Sequence, residues 1–159
     1  MRETTLCREE MKNDLMKVFR EVASQHTCHN NWEAWEMVVQ HPAPRFYIDP
    51  RRAHHRLSPL LHGDTSKIDC LNPLKKEMYE ALFAVVMKMW QKPAYWGKSL
   101  NYVLKFAVME PAPRFYISTI RMGQIWREKQ RQSLRKLAKT EGEILEKRKH
   151  IYETKQGRS

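Results

Sequence analysis

Arginine set beside an aromatic ring is the pairing in this chain best suited to chemistry, and it occurs twice in the same context. Residues 42–48 read PAPRFYI, and residues 111–117 read PAPRFYI again. Each copy places an arginine two residues before a tyrosine: Arg45 with Tyr47, and Arg114 with Tyr116. A guanidinium contacts phosphate in a fork geometry and stacks on flat rings, and a phenol ring stacks on a base. More cations follow each copy. Arg51, Arg52, His54, His55 and Arg56 crowd the segment after the first, and Arg121, Gln124 and Arg127 occupy similar places after the second. Basic and amide side chains near a helix start suit groove and phosphate contact. The candidate nucleic-acid-binding set is therefore Arg45, Tyr47, Arg51, Arg52, His55, Arg56, Arg114, Tyr116, Arg121, Gln124 and Arg127. The plainer reading makes PAPRFYI a rigid elbow that buries Phe and Ile, and makes the basic segment a solvated face. Alternation allows both, because Phe46 and Ile48 fall on one side of an extended segment and Arg45 and Tyr47 on the other.

Other chemistries find little to draw on. His26, Cys28 and His29 lie close in sequence, and His54, His55, His62 and Cys70 follow, but no pair repeats at a zinc-site spacing. No metal and no cofactor are expected. The chain contains no G-x-G-x-x-G, Walker loop, H-E-x-x-H or G-x-S-x-G, so no enzyme class is indicated. Asp49, Asp64 and Asp69 are scattered and read as caps and turns.

The elements that carry these residues read as helices. Met11, Leu15, Val18, Phe19 and Val22 recur at helical spacing. A second helix is expected from Trp32 to Gln40, with Trp35, Val38 and Val39 on one side. His41 precedes Pro42 and is pushed out of the α region, which stops that helix. Pro42 and Pro44 hold the next residues extended. Asp49 caps a third helix, with Pro50 at its first position. In the second half, Asn72 and Pro73 open a helix whose apolar residues Met78, Leu82, Phe83, Val85, Val86 and Met89 are broad enough to be buried on more than one side. Lys92-Pro93 ends it. Ser99 caps a helix expected to run to Met109, Glu110 before Pro111 ends the series, and Ser118 caps the next helix.

Seven identities in one pair of windows arise by chance on the order of once in a billion, so the two PAPRFYI segments indicate an internal repeat. Upstream, Glu10, Met11, Leu15, Val18 and Val22 correspond to Glu77, Met78, Leu82, Val85 and Met89 at an offset of 67, against 69 at the motif. The expected organisation is a first helical repeat over 5–62, a second over 72–130 and a basic helical tail over 131–159. HGDTSKIDCLNP forms the connection. Each repeat offers too few apolar residues for a core of its own at ~60 residues, so one pseudo-symmetric core shared by both is expected. In the tail, Leu134, Leu137, Ala138, Ile144, Leu145, Ile151 and Tyr152 recur near every seventh residue, Gly142 weakens the helix midway, and fraying is expected from about Lys155.

Composition sets the class. The 159 residues include 29 Lys and Arg against 18 Asp and Glu, a formal net charge of +11, with 42% apolar residues and only 5 Gly. That suits a packed all-α protein and excludes disordered and collagen-like classes. The N-terminal region is charged, the longest apolar run is Ala81–Met87, and the three cysteines stand far apart. No secretion signal, membrane span or disulfide framework is expected, which places the chain in the cytoplasm. The functional expectation is a non-enzymatic DNA- or RNA-binding protein with two basic helical repeats. Two rivals stand beside it. One is an accessory subunit that holds nucleic acid for a larger enzyme such as a polymerase or reverse transcriptase. The other is a helical interaction protein that oligomerises through its C-terminal helix.

Overall fold

Short polar residues fix where the helices begin. Asn30, Asp49, Asn72, Ser99 and Ser118 accept the backbone N–H of Glu33, Arg51, Lys75, Tyr102 and Arg121 at 2.9, 2.9, 2.9, 3.2 and 3.1 Å. Each bond satisfies one of the donors a helix start leaves open. Pro50 and Pro73 take the first helical position, where no N–H is needed. The computed structural model describes residues 3–156. The helices are α1 (Glu3–Gln25), α2 (Asn31–Gln40), α3 (Pro50–Leu57), α4 (Ser66–Asp69), α5 (Pro73–Trp90), α6 (Leu100–Ala107) and α7 (Thr119–Gln156). Single 3-10 turns lie at Ser58–His62 and Pro93–Tyr95. The described residues form no strand, and the protein is all-α. None of its described helices is long and apolar enough to cross a membrane. Residues through Met122 form one compact unit and those from Gly123 a second, the division falling within α7.

In the first unit α1 packs on α2, α5 packs on α6, and α3 lies against both α5 and α6. The interior is built from Leu15, Val18 and Val22 of α1, Trp35, Val38 and Val39 of α2, Leu82, Val86 and Met89 of α5, and Val103, Leu104 and Ala107 of α6. The two PAPRFYI segments meet inside it. Ala43 N–H donates to the Ala112 carbonyl at 3.0 Å, and Ala112 N–H donates back to Ala43 at 2.9 Å. Phe46 and Phe115 are each 1% exposed. Their rings stack crosswise: Phe46 lies parallel to Tyr116 with centroids 6.4 Å apart, and Tyr47 parallel to Phe115 at 5.9 Å.

This pairing also sets the end of α6. The helix stops at Ala107, two residues short of the Met109 that the sequence suggests. In a continued helix the Val108 carbonyl would accept from Ala112 N–H. Here it accepts from Phe46 N–H at 2.9 Å, while Ala112 N–H is taken by Ala43. The chain closes instead with tight bonds from Met109 to Phe106 and from Glu110 to Ala107, both 3.1 Å.

The connection between the halves is itself folded. Asp64 accepts Ser66 N–H at 3.0 Å, the Thr65 hydroxyl donates to Asp69 at 2.7 Å, and Ile68 is buried. Gly63 turns the chain into it at φ +79°, a conformation that favours glycine. In the second unit α7 runs unbroken through Gly142, and from residue 131 to residue 155 every side chain is exposed. Tail residues 157–159, the end of the segment expected to fray, lie outside the described residues.

Phe46→Ala and Phe115→Ala should each destabilise by about 3–5 kcal/mol, the cost of emptying a packed aromatic site. Chemical denaturation measures this directly. A loss below about 1 kcal/mol for both would mean that the elbows are not core.

Candidate functional site

The first unit carries a concave pocket of about 600 Å³ at the meeting of α1, α3, α5 and the two elbows. Its composition is one-sided. Seven permanently charged cations line it: Arg8, Arg45, Arg51, Arg52, Arg56, Lys75 and Arg114, with His55 beside them. Tyr47, Tyr79 and Tyr116 supply aromatic walls, and Met11 and Met78 an apolar floor. Among the described residues no Asp or Glu lines it. Like charges gathered in a concave surface raise the local positive potential and draw anions in.

Eight of the candidate residues meet here: Arg45, Tyr47, Arg51, Arg52, His55, Arg56, Arg114 and Tyr116. Arg121, Gln124 and Arg127 do not line the pocket; all three are exposed on α7. Arg8, Lys75 and Tyr79 join the pocket although nothing in their local sequence marks them. For two of them the sequence does hold a signal. Arg8 and Lys75 stand at the same offset of 67 that relates Met11 to Met78.

The cations are not equivalent. Arg45 is expected from alternation on an exposed face, and the structure corrects this: its side chain is only 12% exposed. Its Nε donates to the Phe46 carbonyl at 3.1 Å, its Nη1 to Glu10 at 3.0 Å, and its Nη2 lies 3.8 Å from Cys7 Sγ. Alternation does separate Arg45 from Phe46, but α1 covers the arginine side. Cys7, Glu10 and Asp14 recur at helical spacing and form the face that receives the elbow. Tyr47 is held by the same face, its hydroxyl donating to Asp14 at 2.6 Å. Arg45 and Tyr47 are thus struts of the pocket wall. Arg114 repeats the bond of its counterpart, Nε to the Phe115 carbonyl at 3.2 Å, but makes no ion pair among the described residues. Arg56 is also a strut, donating to the Lys67 carbonyl at 2.8 Å. Arg8, Arg51, Arg52, His55 and Lys75 are exposed at the pocket.

The phenols hold their protons. Burial pushes the Tyr47 pKa far above the ordinary range, helped by the hydrogen bond to Asp14 and the nearby negative charge of Glu10. Burial raises Tyr79 as well, opposed by Arg56 and Arg52, and raises Tyr116 with support from Glu77. Among the described residues no group of three His, Cys, Asp or Glu side chains comes together to hold a metal ion. No known protein family, curated protein or solved structure matches the chain.

The raised phenols give alkaline pH a defined effect. The folded chain binds these protons more tightly than the unfolded chain, whose tyrosines ionise near pH ~10. That stability is fully present below pH ~10 and is lost as pH rises above it. Tyr47→Phe should cost about 1–3 kcal/mol at pH 7, because Asp14 loses its donor. The same variant should lose stability less steeply than wild type above pH ~10. Urea titrations of both proteins across that range provide the check, and parallel profiles would count against the assignment. Arg45→Ala should lower stability by about 1–3 kcal/mol, because Glu10 and the Phe46 carbonyl lose their partner. An unchanged melt would mean that Arg45 is no strut.

Proposed function

We propose that this protein binds nucleic acid through its phosphates, without catalysing a reaction, and that it is a tandem duplication of a helix–helix–elbow–helix unit with one shared core. The observation that carries the function is the pocket: seven Arg and Lys side chains converge on one concavity that no described carboxylate lines. Clustering so much like charge opposes folding unless an anion occupies the site in use. Guanidinium groups grip phosphate in a fork, and the tyrosine rings offer stacking surfaces to a base. The strut arginines set the geometry, while Arg8, Arg51, Arg52 and Lys75 reach the phosphates. For the duplication, support comes from identical elbows that bond reciprocally, repeat the arginine-to-carbonyl bond, and bring equivalent cations from α1 and α5. The basic residues of α7 add non-specific attraction.

The accessory-subunit reading has its own support. Tyr102 and Phe106 are exposed and in ring contact at 5.3 Å, with Tyr95 against both. An exposed aromatic patch of this kind suits docking on a larger protein. A stoichiometric protein in native purifications would favour that reading, and nucleic acid alone the first.

The affinity for labelled DNA and RNA oligonucleotides should fall steeply with salt, by about 0.9 in log–log slope for each duplex phosphate that a cation neutralises. Arg51→Ala and Arg52→Ala should each weaken binding with an unchanged melt, and each should lower that slope by about 0.9 as one phosphate goes unneutralised. Fluorescence anisotropy between ~50 and ~200 mM salt makes the measurement, a range over which phosphate-driven binding drops sharply. Binding absent at the lower salt, or flat across the range, would refute the proposal.

A further inference from the structure

The second unit holds an apolar stripe that is self-complementary. Along the exposed part of α7, Leu137, Ile144 and Ile151 recur every seventh residue, and Ala138, Leu145 and Tyr152 do the same one position on. Leu137, Ile144, Leu145 and Ile151 are 59, 45, 64 and 55% exposed. Helical geometry of 3.6 residues per turn puts these two rows on either side of a central row at 134, 141 and 148. That central row reads Leu134, Glu141, Arg148. Two charges of opposite sign thus lie in the middle of an apolar face, seven residues or about 10 Å apart along the axis, too far to pair within one helix. Neither forms an ion pair within the described chain.

A second copy of this chain supplies both missing partners. When two α7 helices run antiparallel about the midpoint between Ile144 and Leu145, Glu141 of each faces Arg148 of the other. The same two-fold keeps each row on its own side, so Ile144 lies beside Ile144, Leu145 beside Leu145, Leu137 beside Ile151 and Ala138 beside Tyr152, apolar against apolar, while at the end of the central row Leu134 meets Lys155. A parallel in-register pair would set Glu141 on Glu141 and Arg148 on Arg148, which like-charge repulsion disfavours. We infer that α7 is a homodimerisation helix that pairs antiparallel with a second copy of itself, its register and direction set by reciprocal Glu141–Arg148 bridges. Two-fold pairing of one patch with itself is the commonest form of oligomer, and it requires this kind of inversion symmetry in the sequence. The inference is independent of the pocket and of what the pocket binds.

Sedimentation of the full chain tests it. Wild type should pass from monomer to dimer between ~1 and ~100 µM, the range expected of a short interface. Glu141→Arg and Arg148→Glu should each raise the dissociation constant at least about tenfold, since each opposes like charges at both bridges. Both changes are on exposed helix positions, and an unchanged helical spectrum would verify folding. An equimolar mixture of the two variants should dimerise again, because every bridge is restored between unlike chains. Wild type that stays monomeric to ~100 µM would overturn the inference, that being beyond the affinity such a stripe should supply. So would single variants that associate as tightly as wild type, since a parallel pair already opposes like charges and gains no penalty. A mixture that remains monomeric would overturn it too.

Discussion

Two hydrogen bonds between the backbones of Ala43 and Ala112 hold the first unit in its arrangement. They bring the elbows side by side and antiparallel, and the crossed stacks of Phe46 on Tyr116 and Phe115 on Tyr47 follow from that placement. Prolines on either side of each alanine keep the segments extended and leave the alanine N–H as the donor available for pairing. A small side chain is needed where the backbones approach, and both alanines are buried. With the elbows fixed, α3 packs on α5 and α6, and α6 ends just before the Val108 carbonyl that Phe46 N–H takes.

The pocket is a by-product of the same geometry. Each elbow turns its arginine and tyrosine to the side away from the buried phenylalanine. On the first elbow, α1 closes over that side with Glu10 and Asp14, which turns Arg45 and Tyr47 into wall. On the second, Arg114 keeps its carbonyl bond and makes no ion pair among the described residues. Two nearly equivalent positions thus take different roles, one rigid and one available. The asymmetry extends to the helices that follow: the basic start of α3 joins the pocket, and the corresponding start of α7 does not.

Charge in this chain is sorted by unit. The pocket concentrates cations in the first unit, and Glu10, which does not line it, pairs with Arg45. The exposed part of α7 intersperses both signs and reserves the centre of its apolar stripe for one of each. A dimer through that stripe would carry two pockets, and linked sites gain avidity that neither has alone.

Much of the helical layout could be read from residues alone, because caps, prolines and apolar periodicity are local. Asp49, Asn72, Ser99 and Ser118 act within three residues of where they stand, so their roles needed no tertiary knowledge. The burial of Phe46 and Phe115 was equally legible, since alternation on an extended segment is a local property and the identical heptapeptides marked it twice. What escaped was everything that depends on a partner distant in sequence. Nothing near residue 45 announces that Glu10 and Cys7 will cover it, and nothing near residue 109 announces that Phe46 will claim the Val108 carbonyl. Arg8, Lys75 and Tyr79 belong to the pocket because α1 and α5 pass beside α3, a fact of packing that no window of sequence contains. The sequence by itself determined the helices, the elbows and the abundance of positive charge. Only the tertiary structure decided which of those charges converge, because convergence depends on chain crossings that bury apolar faces, and the cations are carried along with them.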